Sequence, residues 1–545
     1  MQVRGPALAA AISLALAVGL VGCGAGRSTD KDGDRGKNTT ASINRVVSIG
    51  IGEPKHGLVP SDTGETQGLL VLSALFVPLV KADKEGRLQE VAAESVTTRD
   101  NRVWTIRIKD GYTFHNGERV TADSYIEAWH RAAYKPNAQD TSYLFAKIDG
   151  FADVNPGSES AVPVTDRLKG LKKIDDRTFQ VTLSAPYVNF RAMLINLAFA
   201  PLPTAAFEGS GFNKAFGEAP IGDGPFRMKG VWQHDRSVEV ARYDAFPGEK
   251  PKVNGVLFRI YPTLDAQYDD LLADKVDMAP VLPLGKLAEA RRVLGERFQL
   301  SPRAGIGSLG FPSFDPKYAD PAVRQAISMA INRESIVETV FDGTRVAAHS
   351  FLQPGIPGYR ENTCGEACQF NPAKARELLR QSGFAGPVEI TYNVDGGSRD
   401  WVDAVCGQLK ENLGVDCVEK AEAKYSDLLT KLKARTLGLG VFRSAWTYDY
   451  PAPESILSPL YTCSSPSNFY GYCNRDVDSL ISAGDLAGSP DTAVKFYQQA
   501  EDIIAKELPT VPLWYLRHVY GYTNKVRNIE VNDLGMVDFG RIEVV

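Results

Sequence analysis

An apolar run near the N-terminus decides which part of this chain can fold. Residues 7–21 are apolar or small apart from Ser13, and Arg4 precedes them. The run has the length of a signal-peptide hydrophobic region and is too short and wrongly flanked for a stable membrane span. It ends at residues 20–23 (LVGC), a lipobox pattern that predicts cleavage before Cys23. Residues 1–22 are therefore predicted to be a lipoprotein signal peptide.

The stretch from Cys23 onward is predicted to be a flexible tether. Residues 23–42 are rich in Gly, Asp, Lys, Ser and Thr, so they cannot bury enough apolar surface to fold. Lipidation of Cys23 would anchor the protein at the extracytoplasmic face of the cell membrane. A plain secretory signal followed by a chance cysteine is the open alternative. No later run is apolar enough to cross a bilayer.

The body that follows is long and balanced in charge. At about 500 residues it exceeds what one core usually serves, so two or three structural domains are expected. The chain has 61 basic and 66 acidic residues, and this balance gives no argument for binding nucleic acid.

The cysteines agree with export. Six of the seven remain once Cys23 is set aside, and an oxidising compartment lets close pairs form disulfides. Fifteen pairings are possible, but proximity favours three local ones. These are Cys364 with Cys368, Cys406 with Cys417, and Cys463 with Cys473. A metal site is disfavoured because no histidine lies near them at a ligand-like spacing.

Short strands and helices are mixed along the body. Alternating or β-rich patterns predict strands at residues 46–51, 103–108, 178–183 and 256–260. Capping residues predict helices that begin after Thr121, Asp320 and Asn371, and a long helix covers residues 491–507. No run of strict βαβ units dominates, so the class is α/β with mixed sheets.

A catalytic constellation is missing from the sequence. Residues 305–310 (GIGSLG) match a dinucleotide-binding glycine pattern, but Phe311 and Pro312 follow where the cofactor-binding helix should begin. The glycines are better explained as a strand that bends between lobes. The histidines are scattered singly, at positions 56, 115, 130, 234, 349 and 518. We therefore predict no enzymatic activity, cofactor or metal.

Five motifs, in order, resemble the peptide-binding family of ABC-importer solute receptors (solute-binding family 5). They cover nearly the whole chain from about Val46 onward. Three depart from the family pattern, with Val91 for leucine, Asp223 for threonine and Asn332 for aspartate, and the motif at residues 110–123 is one residue tighter than the family's. The motifs are residues 88–95 (LQEVAAES), 110–123 (DGYTFHNGERVTAD), 220–226 (PIGDGPF), 323–334 (VRQAISMAINRE) and 508–513 (LPTVPL).

The resemblance implies a two-lobed, periplasmic-binding-protein-like α/β fold with an extra subdomain and a hinge of crossing strands. The first lobe is expected to be discontinuous and closed by the last residues of the chain. The predicted boundaries are residues 43–88, 208–304 and 520–545 for lobe I, 89–207 for its extra subdomain, and 305–519 for lobe II.

The resemblance also reaches the site. Residues 443–450 (RSAWTYDY) resemble a segment whose aspartate pairs with the ligand's α-ammonium group. This implies that Asp449 binds the amine and that Arg443 is within reach of a short peptide's carboxylate. Tyr143 resembles a tyrosine that contacts the peptide backbone.

The residue types fit this chemistry without the family. A peptide zwitterion needs an anion and a cation, and Trp446 and Tyr450 offer apolar walls with polar tips. Asp449 and Arg443, six residues apart, are expected to be too close to clamp both ends of an extended ligand. Residues 58–60 (LVP) depart from the family's usual Leu-Asp-Pro, and residues 63–65 are expected to face the cleft. The ordinary alternative for the 443–450 segment is a buried strand end followed by a turn.

The sequence thus predicts a monomeric, extracytoplasmic lipoprotein that captures peptides and delivers them to ABC-importer permease subunits. Two alternatives stay open. The same fold can bind a metal chelate, haem or a glycan, and an envelope lipoprotein can be regulatory without transporting anything.

Overall fold

The structure is a computed structural model in which residues 46–83, 86–158 and 160–545 are described. The predicted signal peptide, the tether and Cys23 lie outside these residues. The described part belongs to one compact unit, Arg45–Val545. In that part of the chain, no helix has both the length and the apolar character that a membrane span requires.

The strands of the described residues are mostly short, with two long exceptions. They are β1 (Val46–Ile51), β2 (Val80–Ala82), β3 (Leu88–Glu90), β4 (Ala93–Thr98), β5 (Val103–Ile108), β6 (Leu171–Asp175), β7 (Thr178–Thr182), β8 (Phe207–Glu208), β9 (Gly211–Phe212), β10 (Phe226–Met228), β11 (Ser237–Arg242), β12 (Gly255–Ile260), β13 (Met278–Ala279), β14 (Phe298–Gly310), β15 (Val346–Ala347), β16 (Val388–Asn393), β17 (Cys417–Glu422), β18 (Val441–Thr447), β19 (Thr510–Tyr522), β20 (Val526–Arg527) and β21 (Glu543–Val544).

The α-helices lie between these strands, and the longest has 18 residues. They are α1 (Thr66–Leu75), α2 (Ala122–Ala133), α3 (Phe151–Val154), α4 (Phe190–Met193), α5 (Leu264–Leu272), α6 (Leu287–Leu294), α7 (Pro321–Met329), α8 (Arg333–Thr339), α9 (Pro372–Gln381), α10 (Arg399–Leu413), α11 (Tyr425–Lys433), α12 (Glu454–Tyr461), α13 (Arg475–Asp485) and α14 (Pro490–Glu507).

The elements predicted from local patterns are confirmed. β1 and β5 have the predicted bounds, and β7 and β12 differ from them by one residue. Thr121 is the N-cap of α2, Asp320 caps α7, and Asn371 caps α9 through its side chain. These elements could be predicted because their signals are local: alternation along a strand, and an oxygen that satisfies the free N–H groups of a first helical turn.

One mixed 11-stranded sheet runs through the molecule, and two crossing strands join its halves. Its order is β10-β11-β12-β1-β13-β19-β14-β18-β16-β17, with β15 beside β19. β14 and β19, each 13 residues long, pair antiparallel from Phe298–Gly521 to Gly310–Thr510. The glycines of β14 allow close packing here, because a Cβ on Gly305 would lie 2.9 Å from the carbonyl oxygen of Trp446. The predicted hinge of crossing strands is confirmed.

Two large hydrophobic cores lie on either side of this crossing. The first core, which defines the first lobe, draws on residues between 47 and 258 and again on the C-terminal residues 520–542. The second core, which defines the second lobe, draws mainly on residues 304–515. The two-lobed α/β fold is therefore confirmed, and the C-terminal residues return to the first core. The residue-level lobe boundaries stay a prediction.

A separate four-stranded antiparallel sheet, in the order β4-β5-β7-β6, belongs to the first core. Helix α2 packs on it through Trp129, whose ring centroid lies 5.5 Å from that of Phe179. The Trp129 indole N–H donates to the carbonyl oxygen of Phe199 at 3.1 Å. This packing fixes the segment that follows α2, which carries Tyr143.

The second lobe contains three disulfides, and they join the three local cysteine pairs named above. The Cα–Cα distances are 5.6 Å for Cys364–Cys368, 5.2 Å for Cys406–Cys417 and 4.5 Å for Cys463–Cys473, all within the usual range. Cys406–Cys417 connects α10 to the first residue of β17.

Removal of the Cys406–Cys417 bridge should destabilise the second lobe. The bridge closes a loop with a sequence separation of 11, and restriction of such a loop in the unfolded chain contributes about 2–3 kcal/mol. The Cys406→Ser/Cys417→Ser variant should lose about that much unfolding free energy in urea titrations of the oxidised protein. A reductant should remove the difference between wild type and variant at this site. An unchanged urea midpoint, with free thiols at both positions of the wild type, would contradict the assignment.

Candidate functional site

Asp449 lies just beyond the end of β18, and its backbone is held on both sides. The preceding residue, Tyr448, donates its N–H to the carbonyl oxygen of Ala304 in β14 at 3.1 Å. The N–H of Asp449 donates to the Ser455 hydroxyl in α12 at 3.0 Å. The carboxylate is therefore fixed where the second lobe meets the crossing strands.

The structure brings Tyr143 and Asp449 together across the two lobes. The Tyr143 hydroxyl donates to Oδ1 of Asp449 at 3.0 Å, although 306 residues separate them in sequence. Tyr143 sits in a short 3-10 helix, Ser142–Phe145, that Leu144 and Phe145 anchor in the first core. Its own side chain is 54% exposed. A first-lobe residue thus contacts the predicted amine receptor in the second lobe.

The carboxyl group of Asp449 has an unusual charge environment. Burial raises its pKa to about 6; the hydrogen bond from Tyr143 opposes this shift, and the nearby Glu454 adds to it. Across residues 46–83, 86–158 and 160–545, no basic side chain forms an ion pair with Asp449. A half-buried carboxylate that lacks a cation is suited to bind a cationic group from a ligand.

Tyr450 is not a wall of the cleft. It is 7% exposed and belongs to the first core. Its hydroxyl lies 2.9 Å from that of Tyr187 and donates to Oε2 of Glu454, which Tyr187 also contacts at 2.5 Å. The polar tip that was expected to meet a ligand is therefore already occupied by a buried carboxylate.

Further contacts continue from this group along the junction of the lobes. We call the contacts Tyr187–Glu454, Lys147–Asp485 and Asn189–Tyr497 the interlobe seam. Lys147 Nζ lies 3.3 Å from Oδ2 of Asp485, and the Asn189 amide donates to the Tyr497 hydroxyl at 2.9 Å. Burial raises the pKa of Asp485 to about 6, while Lys147 lowers it.

Sequence reasoning missed every residue of the interlobe seam. Lys147 and Asp485 are 338 positions apart, and Tyr187 and Glu454 are 267 apart. None of them stands in a motif or at a periodic spacing. Only pairing between distant segments brings them together, so no local signal could have found them.

Trp446 and Arg443 lie on β18 itself. Trp446 is half-buried and donates its indole N–H to the carbonyl oxygen of Ser455 at 2.7 Å, which holds its ring near Asp449. The guanidinium of Arg443 stacks over Tyr425, 5.4 Å from the ring centroid, and burial lowers its pKa. Strand alternation places Arg443 and Trp446 on opposite faces, so they do not line one continuous wall.

The expectation that Arg443 and Asp449 are too close to hold both ends of an extended ligand stays a prediction. The chain from Arg443 to Thr447 is a β-strand. An extended strand rises about 3.3 Å per residue, so six residues span up to about 20 Å. This length is an upper limit on their separation, because β18 ends at Thr447 and the chain bends at Asp449.

The 57–65 loop is tied to the segment that carries Tyr143. Thr141 donates its N–H to the carbonyl oxygen of Ser61 at 3.1 Å, and the Ser61 hydroxyl donates to Gln139 at 2.6 Å. Glu65 caps α1 by accepting from the N–H groups of Gln67 and Gly68. Its carboxylate therefore serves the helix, and its role toward a ligand stays a prediction.

One group among the described residues has the composition of a metal site. Its members are His56, Asp62 and Asp140, whose ligand atoms lie within 4.8 Å of one another. His56 Nε2 is 3.3 Å from Asp140 Oδ2, and both side chains are largely exposed. An ion pair of this kind explains the arrangement without a metal, so we assign none.

The fold and the sequence both match known solute receptors. The model of the bacterial extracellular solute-binding proteins, family 5 (Middle), matches residues 87–468. The dipeptide-binding protein DppE of Bacillus subtilis (strain 168) is 24% identical over 542 residues, 97% of each chain. The periplasmic oligopeptide-binding protein OppA of Salmonella typhimurium is 27% identical over 486 residues, 85% of this chain and 87% of that protein.

A solved structure shows the same fold. Haemophilus influenzae OppA in complex with RPPGFSPFR superposes with a TM-score of 0.72 at 20% identity, covering 92% of this chain and 99% of that one. The segment matched by the family model is more than half of the chain and contains both Tyr143 and Asp449. The resemblance first drawn from sequence motifs is thereby confirmed: the chain belongs to family 5 of the bacterial extracellular solute-binding proteins.

Proposed function

We propose that this protein captures peptides between its lobes and delivers them to an ABC importer. The observation that carries the proposal is Asp449, a half-buried carboxylate at the junction of the lobes that pairs with no cation among the described residues. A peptide's α-ammonium group supplies the missing charge. Desolvated charge-assisted hydrogen bonds are worth more than surface ones, so this contact can select ligands with a free amine.

Two residues shape the rest of the proposed site. Tyr143, from the first lobe, contacts the same carboxylate and can donate to the ligand backbone when the amine displaces it. Arg443, from the second lobe, makes no hydrogen bond or ion pair within the described residues. Its guanidinium can therefore donate hydrogen bonds to a carboxylate group of the ligand. The relatives named above as dipeptide- and oligopeptide-binding proteins support a peptide ligand.

The seam between the lobes supports a closing mechanism. The seam residues Lys147, Tyr187 and Asn189 reach partners in the second lobe. Closure about the crossing strands makes these contacts at the same time as the lobes enclose the ligand. A monomer anchored through lipidated Cys23 would present this closed form to the permease subunits.

The amine contact can be tested with a double-mutant cycle. Asp449→Asn keeps the shape of the side chain and removes its charge, so binding of a peptide with a free amine should weaken at least about 10-fold. N-acetylation of the peptide should weaken binding to wild type similarly and should have little further effect on the variant. Isothermal titration calorimetry of the four combinations measures the coupling. Asp416→Asn is the control, because it removes the same charge from an exposed side chain of the same lobe. Independent effects of mutation and acetylation would contradict the assignment.

Binding should also weaken in acid. The pKa of Asp449 is raised to about 6 in the ligand-free protein, and an ammonium group pairs only with the ionised form. The contribution of Asp449 is therefore complete above this pKa and is lost as the pH falls through it. Affinity at about pH 5 should be roughly one tenth of that at about pH 7. Tyr143→Phe removes a hydrogen bond that favours the carboxylate, so the midpoint should move to higher pH. A flat profile in wild type would count against Asp449 as the amine receptor.

The anchor is tested independently of the ligand. Cys23→Ala should abolish incorporation of a labelled fatty acid and release the protein from membranes, or stop its maturation. The acyl chains contribute roughly 0.8 kcal/mol of membrane binding per buried methylene. Membrane association of the Cys23→Ala variant at wild-type level, in a host that processes lipoproteins, would refute lipidation at this residue.

A further inference from the structure

A group of basic side chains lies where the lobes cross, on one face of β14 and β19. Ser301 pairs with His518 and Pro302 with Arg517, so His518 and Arg517 lie on opposite faces of the pair. Arg303 follows Pro302 at the start of a register shift. Strand β15 pairs with β19 at Val346–Tyr515, which brings Arg345 to the same place.

We call this group the hinge basic cluster (Arg303, Arg345 and His518), and backbone contacts hold two of its three side chains. Arg345 donates to the carbonyl oxygens of Thr344 at 3.1 Å and Arg517 at 3.3 Å, and its guanidinium lies 5.4 Å from the Phe341 ring centroid. The His518 Nε2 is 3.2 Å from the carbonyl oxygen of Asp533. Arg345 and His518 are therefore positioned without an ion pair to any acid of the described residues.

The positive charges of Arg303 and Arg345 are not paired with any acid among the described residues. Arg303 is half-buried, yet its side chain has no hydrogen bond or ion pair to the described residues. Burial, followed by repulsion from Arg303, lowers the pKa of Arg345 to about 10 and that of His518 to about 4. Burial alone raises the pKa of Asp533, so its carboxyl group gains nothing from these cations.

The hinge basic cluster is adjacent to the proposed amine receptor. The N–H of Tyr448, just beyond the end of β18, donates to the carbonyl oxygen of Ala304 in β14. Asp449 is the residue next to Tyr448, and Arg303 is the residue next to Ala304. The described residues nevertheless contain no ion pair between Asp449 and Arg303. Asp449 and Arg303 are thus close along the backbone, and each lacks a charged partner among the described residues, so both charges are available to a ligand.

We propose that Arg303 and Arg345, beside His518, form an oxyanion subsite in which the two guanidinium groups bind a carboxylate or phosphate group. Two half-buried guanidinium groups suit such a group because each offers several N–H donors in a planar fork. The anion has two sources, the carboxylate of the bound solute or a free inorganic anion. The first source rests on the proposed peptide capture, and the second does not.

The subsite itself is tested with inorganic phosphate. Phosphate should raise the thermal unfolding midpoint of the wild type and should have at least about 10-fold lower affinity for Arg303→Gln and Arg345→Gln. In anion-free buffer Arg303→Gln should unfold at the wild-type temperature or higher, because the change removes an uncompensated charge. Arg517→Gln is the matched control, since it removes the same charge beside His518 on β19 but on the other face of that strand.

The source of the anion is tested with Ala-Ala-Ala and its C-terminal amide. If the solute supplies the carboxylate, amidation should weaken wild-type binding at least about 10-fold and should weaken binding to Arg303→Gln by a clearly smaller factor, which leaves only the contribution of Arg443. If a free anion is the source, phosphate binds as above and amidation has no effect. The subsite is refuted if Arg303→Gln and Arg345→Gln leave phosphate binding unchanged and amidation makes no difference. Failure of both tripeptides to bind would count against peptide capture, while the phosphate titration would still decide the subsite.

Discussion

Two 13-residue strands, β14 and β19, carry the chain between the lobes in opposite directions. Their pairing continues one sheet through both halves, so each lobe is built outward from the same pair of strands. The pairing is irregular between Pro302 and Ile306, and this is where Tyr448 bonds to Ala304 and the chain turns toward Asp449. The strands that connect the lobes therefore also place the charged groups of the proposed site, and a change in their register would move both together.

Two carboxylates near this crossing, Glu454 and Asp449, differ in their burial and in their hydrogen-bond partners. Glu454 is buried and accepts hydrogen bonds from Tyr187 and Tyr450, so its position is set within the protein. Asp449 is half-buried and accepts one hydrogen bond from the Tyr143 hydroxyl. It forms no ion pair with a basic side chain of the described residues. In a medium of low dielectric a satisfied carboxylate stabilises the structure, and one that lacks a cation favours binding of a charged ligand. The two acids lie five residues apart and have different roles because of what surrounds them.

The sequence predicted the features that local signals encode. Helix caps such as Thr121 and Asn371, strands such as β1 and β5, and the motif around Asp449 all depend on residues close together in the chain. It failed for Tyr450, because the burial of that side chain depends on Tyr187, 263 residues away. It also gave no sign of the hinge basic cluster, whose members come from three separate strands or loops. Contacts of this range follow from strand pairing, which one sequence does not reveal.

The last residues of the chain complete its first core. Phe539 packs against Phe226 and Phe258 with ring centroids 6.0 and 5.9 Å away, and Ile542 is fully buried beside them. During synthesis from the N-terminus, the contiguous second lobe can therefore finish folding before the first lobe, whose core stays open until the C-terminus emerges. A chain released early would have its defect in the lobe made first. Quality control that recognises exposed apolar surface would consequently act on the N-terminal half of a protein that was damaged at its C-terminal end.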